Sequence, residues 1–248
     1  MLKEIVITIQ SWGEAHRFII QHKLWKWVLI PGLIYAALFI TGMYFFGKSA
    51  TQVIEYITHI LHLGDWAQKF QNSLLGFLFT FAGIIFWLTL LLFYFSFFKY
   101  ICLILGSPIF AYLSRKTEAI IEGNENIRNW SGIRKEAARG IWMAIRNCGW
   151  QTVYLVALLI ISLIPVVGWI IPLVVLFMEC YYYGFSMLDY GLARNNNSSS
   201  QSIHYINHHK GLAIGNGILF YLMHVVIFVA PAYAIIAATL TVNKVKNS

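Results

Sequence analysis

Charged side chains are scarce in this chain of 248 residues: Asp, Glu, Lys and Arg make up 11% of it, against roughly 25% in an ordinary soluble domain. A soluble fold of this length needs a charged surface over its core, and this sequence cannot supply one. Cysteine is also rare, with three residues and no CxxC spacing, which excludes a secreted disulfide scaffold. Cys102, Cys148 and Cys180 lie inside or beside apolar stretches and read as reduced packing residues. No repeat or linker divides the chain, and its one low-complexity tract, Asn195 to Ser200, reads as a flexible surface loop. HExxH, GxSxG, a Walker A loop and any other Gly-rich phosphate loop are missing. No catalytic constellation, metal site or cofactor site is therefore expected, and the chain reads as a non-enzyme. What it has in abundance is apolar and aromatic residues, 59% AVILMFWYC and 17% Phe, Trp and Tyr. That composition points to an all-α integral membrane protein embedded in a lipid bilayer.

The few charges bound four long apolar runs. No Asp, Glu, Lys or Arg lies between Lys26 and Lys48, between Lys69 and Lys99, between Arg146 and Glu179, or between Lys210 and Lys244. These runs hold 21, 29, 32 and 33 residues, and a helix needs about 20 apolar residues to cross the hydrocarbon core. The first two read as one spanning helix each, over 24–47 and 70–105. The last two are too long for one straight span and carry helix breakers near their middles: Pro165, Gly168 and Pro172 in one, Pro231 in the other. Halves of about 16 residues rise only about 24 Å, short of the roughly 30 Å core. Half-penetrating helical hairpins over 147–186 and 211–243 fit that arithmetic. A kinked single span per run, or two tight full spans in the third, fits the length equally.

Loop charge sets the orientation. Residues 1–26 hold Lys3, Arg17, Lys23 and Lys26, and eight further Lys/Arg residues crowd into 99–146. The N-terminus and a cytoplasmic helical segment over 107–146 are therefore expected on the same, positive side. The net charge of +8 needs no nucleic acid to explain it, because cytoplasmic loops of membrane proteins carry Lys and Arg in excess. Residues 1–22 are no signal peptide, since Glu4 and Glu14 interrupt the apolar stretch. They alternate as an amphipathic interfacial helix would, with Ile5, Ile9, Trp12 and Phe18 toward lipid.

Several side chains could carry chemistry. His59 and His62 have helical spacing for a metal pair, but no Cys accompanies them and the nearby acids are Glu55 and Asp65. The plainer reading is interfacial histidines on an external helix. His204, His208 and His209 read likewise as a solvated face, and His224 as a polar group satisfied by a neighbouring helix. Glu179 ends the third run and Asp189 follows it, and acids at membrane depth are costly unless paired. Arg194 is close enough along the chain to pair with Asp189. A structural salt bridge is the plain reading for these acids, proton coupling the sharper one. Arg17, Lys23 and Lys26 precede the first spanning helix, whose first turn lies near Trp25. Cations beside the orphan amides of a helix N-terminus attract anions, while Lys beside Trp also serves as an interfacial anchor.

Gly106-Ser107-Pro108-Ile109-Phe110-Ala111-Tyr112-Leu113-Ser114, followed by Glu118, resembles the (G/S)-P-hydrophobic-x-x-hydrophobic-S/A-x-x-x-E segment of the CysZ sulfate permeases, in the etoposide-induced-protein superfamily. Glu179 through Arg194, with Leu188-Asp189-Tyr190, is similar to the family's F-E-Y-L-D-Y-P-x-A-R stretch. His208 to Gly217 resembles its R-H-R-x-L-x-L-G-F-G stretch, and Pro231 to Leu240 its A-P-A-A-V-V-G-A-T close. The resemblance runs in order from about residue 10 to 242 and implies two spanning helices, two half-penetrating hairpins, both termini in the cytoplasm and a homo-oligomer in a bacterial inner membrane. It implies passage of sulfate or a close analogue, feeding cysteine synthesis, with Glu118, Glu179, Asp189 and Arg194 as structural or coupling groups. The family associates an anion site with a G-L-R-R stretch before the first span, which aligns on Lys23, Leu24, Trp25 and Lys26. Here Lys23 replaces the glycine, and Trp25-Lys26 replaces the arginine pair. Lys lacks the planar fork of donors that Arg offers an oxyanion, so a non-transporting membrane scaffold or stress-related protein on the same fold is the alternative.

Overall fold

The computed structural model describes residues 1–60, 74–123, 130–162, 170–193, 198–223 and 229–247. Among them it is all-α, with no strand and eight helices. These are α1 (Leu2–Gln21), α2 (Trp25–Ile60), α3 (Leu74–Ile121), α4 (Trp130–Ser162), α5 (Ile171–Ala193), α6 (Ser199–His208), α7 (Lys210–Met223) and α8 (Ala230–Asn247). Three stretches are long and apolar enough to cross a membrane: Trp25–Gln52, Ser96–Ile121 and Ile171–Ala193. The protein is an all-helical membrane protein.

The helices run past the boundaries expected from hydropathy. α2 continues to Ile60 with Pro31 inside it, and α3 passes straight through Pro108 to Ile121. Residues 107–121 are therefore the end of the second long helix, and Trp130–Arg146 the beginning of α4, rather than one separate segment over 107–146. α3 holds 48 residues, more than twice the roughly 20 that a bilayer crossing needs. The third apolar run is divided between α4 and α5 and the fourth between α7 and α8; Pro165, Gly168 and His224 fall outside the described residues. Pro172 and Pro231 each stand in the first turn of a helix, where the missing N–H had no intrahelical partner to lose.

Two compact units make up the chain, one of residues 1–36 with 99–248, the other of 37–98. Within the smaller unit α2 and α3 meet through aromatic rings: Phe39 packs edge-on to Phe98 at 5.4 Å between centroids, and Phe46 lies 4.8 Å from Tyr94. Within the larger unit α5 packs on α4, α7 and α8, and α1 packs on α7 and α8. The centre of that unit is α8, with Ala230, Ala232, Ala234, Ile235, Ile236, Ala237 and Ala238 all fully buried. Half of the fourth apolar run is thus apolar because protein encloses it on every side. By contrast, α4 and α5 expose Val153, Val156, Ile160, Leu173 and Leu176, and Ile170 is exposed just ahead of α5. A contiguous bare apolar surface of that kind is stable only against lipid or another chain.

The α5–α7 crossing depends on two glycines. A Cβ at Gly184 would stand 2.8 Å from the Ala213 carbonyl carbon, and one at Gly217 would stand 2.6 Å from the Cα of Cys180. Backbone meets backbone there, the close approach that small residues give helices in membranes.

The N-terminal helix differs from its expected pose. Trp12 does not face lipid: it is buried at 6% exposure and its Nε1 donates to Asn216 Oδ1 at 2.6 Å. Ile9 does face outward, at 51% exposure. Glu4 accepts from the Gly211 amide in the first turn of α7 and lies 3.0 Å from His209 Nδ1, and Lys244 donates to Glu14 at 2.7 Å. Polar positions that read as a solvated face are instead the contacts that hold α1 on α7 and α8.

Candidate functional site

The α1–α2 junction carries the basic cluster singled out in the sequence. His22 caps α1, Lys23 adopts φ 52°, and the Leu24 amide reaches back to the Ile19 carbonyl at 3.0 Å while the Lys23 amide donates to Ile20 at 3.3 Å. This is a Schellman stop, completed by the buried pair Ile19 and Leu24. Its left-handed residue is normally glycine. Leu24 then stands at the N-cap position ahead of α2, and its carbonyl accepts from Trp27 and Val28. As an apolar residue it offers no side-chain acceptor to the first-turn amides.

Lys23, Trp25 and Lys26 therefore share one turn of chain at the start of α2, all exposed, while Arg17 is exposed on α1 ahead of its last turn. None of the three cations has a carboxylate partner among the described residues. A further cation that sequence spacing did not suggest joins them. Trp27 packs against Tyr112, the rings tilted with 4.4 Å between centroids, and Lys116 Nζ lies 4.9 Å over the Trp27 ring. α3 thus delivers Lys116 to the first turn of α2, 89 positions from Trp27 along the chain. Tyr112 and Lys116 are one helical turn apart, which was legible, but their partner was not.

The acid Glu179 lies elsewhere, in a buried network of four helices. Lys99 Nζ of α3 is 2.6 Å from Glu179 Oε2 of α5, with the side chains 3% and 2% exposed. Gln151 of α4 donates to the other carboxylate oxygen, Tyr100 donates to Gln151 at 2.6 Å, and Tyr221 of α7 donates to Glu179 at 3.1 Å. Glu179 accepts three side-chain donors, so its charge is compensated and its geometry held. The signal that could have found Lys99 is that it closes one apolar run as Glu179 closes another, with opposite sign.

Asp189 is also buried, and the partner found for it is Arg139, whose Nη2 lies 2.7 Å from Oδ1 and also donates to Ser202 at 2.5 Å. Arg194, the partner expected from sequence, lies outside the described residues. The next residue, Tyr190, donates to Ser107 Oγ at 2.9 Å, and Ser107 donates to the Ala137 carbonyl at 2.7 Å. Two of the motifs that carry the family resemblance are therefore bonded to each other. Glu118 is buried beside a small cleft of about 350 Å³ that it shares with Glu122, Thr239 and Lys246. His59 is described on α2 but His62 and Asp65 are not. His204 and His208 are exposed, their rings tilted to each other with centroids 4.3 Å apart, whereas His209 belongs to the Glu4 contact. Beside them, burial and the nearby Glu4 carboxylate push the Tyr205 hydroxyl above its ordinary range. No group of three or more His, Cys, Asp or Glu suited to a metal ion occurs among the described residues.

The family model described as sulfate transporter CysZ/etoposide-induced protein 2.4 matches residues 11–236. No curated protein sequence matches the chain.

Proposed function

The chain belongs to the CysZ/etoposide-induced protein 2.4 family, and from that premise we propose that it passes sulfate or a similar small oxyanion across the membrane. The observation that supports this is the junction before α2, where Lys23 and Lys26 are exposed without carboxylate partners among the described residues and Lys116 lies over Trp27. An oxyanion arriving there meets cations and the uncapped amides of a helix start. Trp25 and Arg17 border the approach. Lys gives charge without the bidentate fork of Arg, so the site collects anions by field more than by fixed geometry. The Lys99–Glu179 and Arg139–Asp189 pairs hold the helices around the route as structural charges.

In this reading the protein is a non-enzymatic, multi-pass permease or channel of a bacterial inner membrane, with both termini cytoplasmic. It works as a homo-oligomer that feeds cysteine synthesis. Of its hairpins, α7–α8 enters the membrane part-way, because α7, with 14 residues, rises only about 21 Å, while α5, with 23 residues, rises about 35 Å and is long enough to cross. Sulfate uptake into proteoliposomes tests the reading. Flux that needs the protein and falls in Lys23→Ala/Lys26→Ala supports it; unchanged flux in that variant removes the junction from the mechanism.

The absence of the family's arginine pair favours a second reading, a non-transporting scaffold on the same fold. Failure to rescue a sulfate-auxotrophic host, despite correct membrane insertion, would select it.

A further inference from the structure

Between α4, α5 and the start of α7 lies an open cleft of about 580 Å³. Two cations line it, Arg146 and Lys210, together with the polar groups of Tyr181 and Asn207. Arg146 donates to Asn147 Oδ1 at 3.1 Å and its guanidinium lies 6.0 Å from the Phe185 ring centroid, while Tyr181 donates to Asn207 at 2.9 Å. Neither cation has a carboxylate partner among the described residues. The rest of the lining is apolar and ordered along the helices. Trp150 and Tyr154 follow Arg146 one and two turns along α4, and Phe177 and Val174 precede Tyr181 by one and two turns along α5. Beyond them the exposed residues are apolar, Val156 and Ile160 on α4, Leu173 on α5 and Ile170 just ahead of it.

We propose that this cleft binds an anionic phospholipid, its phosphate between Arg146 and Lys210 and its acyl chain against Trp150, Tyr154, Val174 and Phe177. Two uncompensated cations call for an anion, and basic pockets between membrane helices take anionic head groups. A small inorganic anion would use only the polar end and leave the apolar wall wet. A phospholipid matches both ends in the order in which the helices present them, and the intervening Trp and Tyr are the residue types that settle at head-group depth. The cleft is separate from the α1–α2 junction and does not depend on what that junction binds.

The test uses the full chain, delipidated in a neutral detergent, with phosphatidylglycerol and phosphatidylcholine of the same acyl chains as probes and bound lipid read by native mass spectrometry. Each cation near a lipid phosphate contributes about fivefold, so the anionic lipid should bind about thirtyfold more tightly than the zwitterionic one. R146Q/K210Q should abolish that preference, and R146K/K210R should keep it. If the double variant does not fold, K210Q alone, at an exposed position, should lose about fivefold. Equal binding of the two lipids by the unaltered chain overturns the proposal. So does displacement of phosphatidylglycerol by inorganic phosphate, which would make this a small-anion site. So does a dimer that excludes lipid from the cleft, which would make the face an interface between copies.

Discussion

Lys99 Nζ and Glu179 Oε2 stand 2.6 Å apart across 80 positions of sequence, in a part of the molecule where each side chain is almost wholly withdrawn from solvent. Removing one member leaves a buried uncompensated charge, which costs about 3–5 kcal/mol, whereas replacing both with apolar residues of similar volume is often neutral. Lys99→Met should therefore lower the thermal unfolding midpoint in detergent sharply, and Lys99→Met/Glu179→Leu should recover most of the loss. Equal loss in the double variant would show that Gln151, Tyr100 and Tyr221, more than the ion pair, set the stability of this region.

Lys23 occupies a left-handed backbone conformation that costs an L-residue about 1–2 kcal/mol. Lys23→Gly should relieve that strain and raise stability by about 1 kcal/mol, while removing a cation from the proposed anion approach. Stability and sulfate flux should move in opposite directions. A rise in both would mean that Lys23 is a conformational accident of the Schellman stop with no share in transport.

Gly184 and Gly217 set the distance between α5 and α7. Gly184→Leu has no room, because the Ala213 backbone occupies the space, and overpacking of this kind typically costs about 1–3 kcal/mol. The expected result is a lower unfolding midpoint and release of α7, measurable as increased protease sensitivity in residues 210–223. An unchanged midpoint would show that the crossing can slide apart at little cost.

Arg139 and Tyr190 tie the same stretch of α5 to different helices, and their substitutions should rank. Arg139→Met strands the Asp189 carboxylate, buried at 1% exposure, and should cost about 3 kcal/mol or more. Tyr190→Phe removes one neutral hydrogen bond to Ser107, worth about 0.5–1.5 kcal/mol. Chemical denaturation of the two variants side by side checks the order; a reversed order would mean that Asp189 finds another cation.

Much of the fold was legible because membrane insertion follows composition. The charge-free runs after Lys26 and Lys69 became α2 and α3, and the broken runs after Arg146 and Lys210 became two helices each. The ends were less legible. The second span is expected to end at 105, yet α3 continues through Pro108 to Ile121, because a neighbouring hydroxyl or carbonyl can re-satisfy a freed backbone group and local sequence does not display that neighbour. Trp12 reads as a lipid anchor and is instead bonded to Asn216, 204 positions away.

By itself the sequence determined that this chain lives in a membrane as helices, and where its basic loops concentrate, because partition between water and hydrocarbon depends on local composition. Only the tertiary structure decided which apolar residues meet lipid and which meet protein. Ala230 to Ala238 of α8 and the exposed faces of α4 and α5 are both apolar, yet the first stretch is enclosed by protein and the others are bare. It also decided the partners of the few charges, Lys99 with Glu179 and Arg139 with Asp189. Pairing is a matter of distance in space, and helices that cross bring together residues that no spacing along the chain connects.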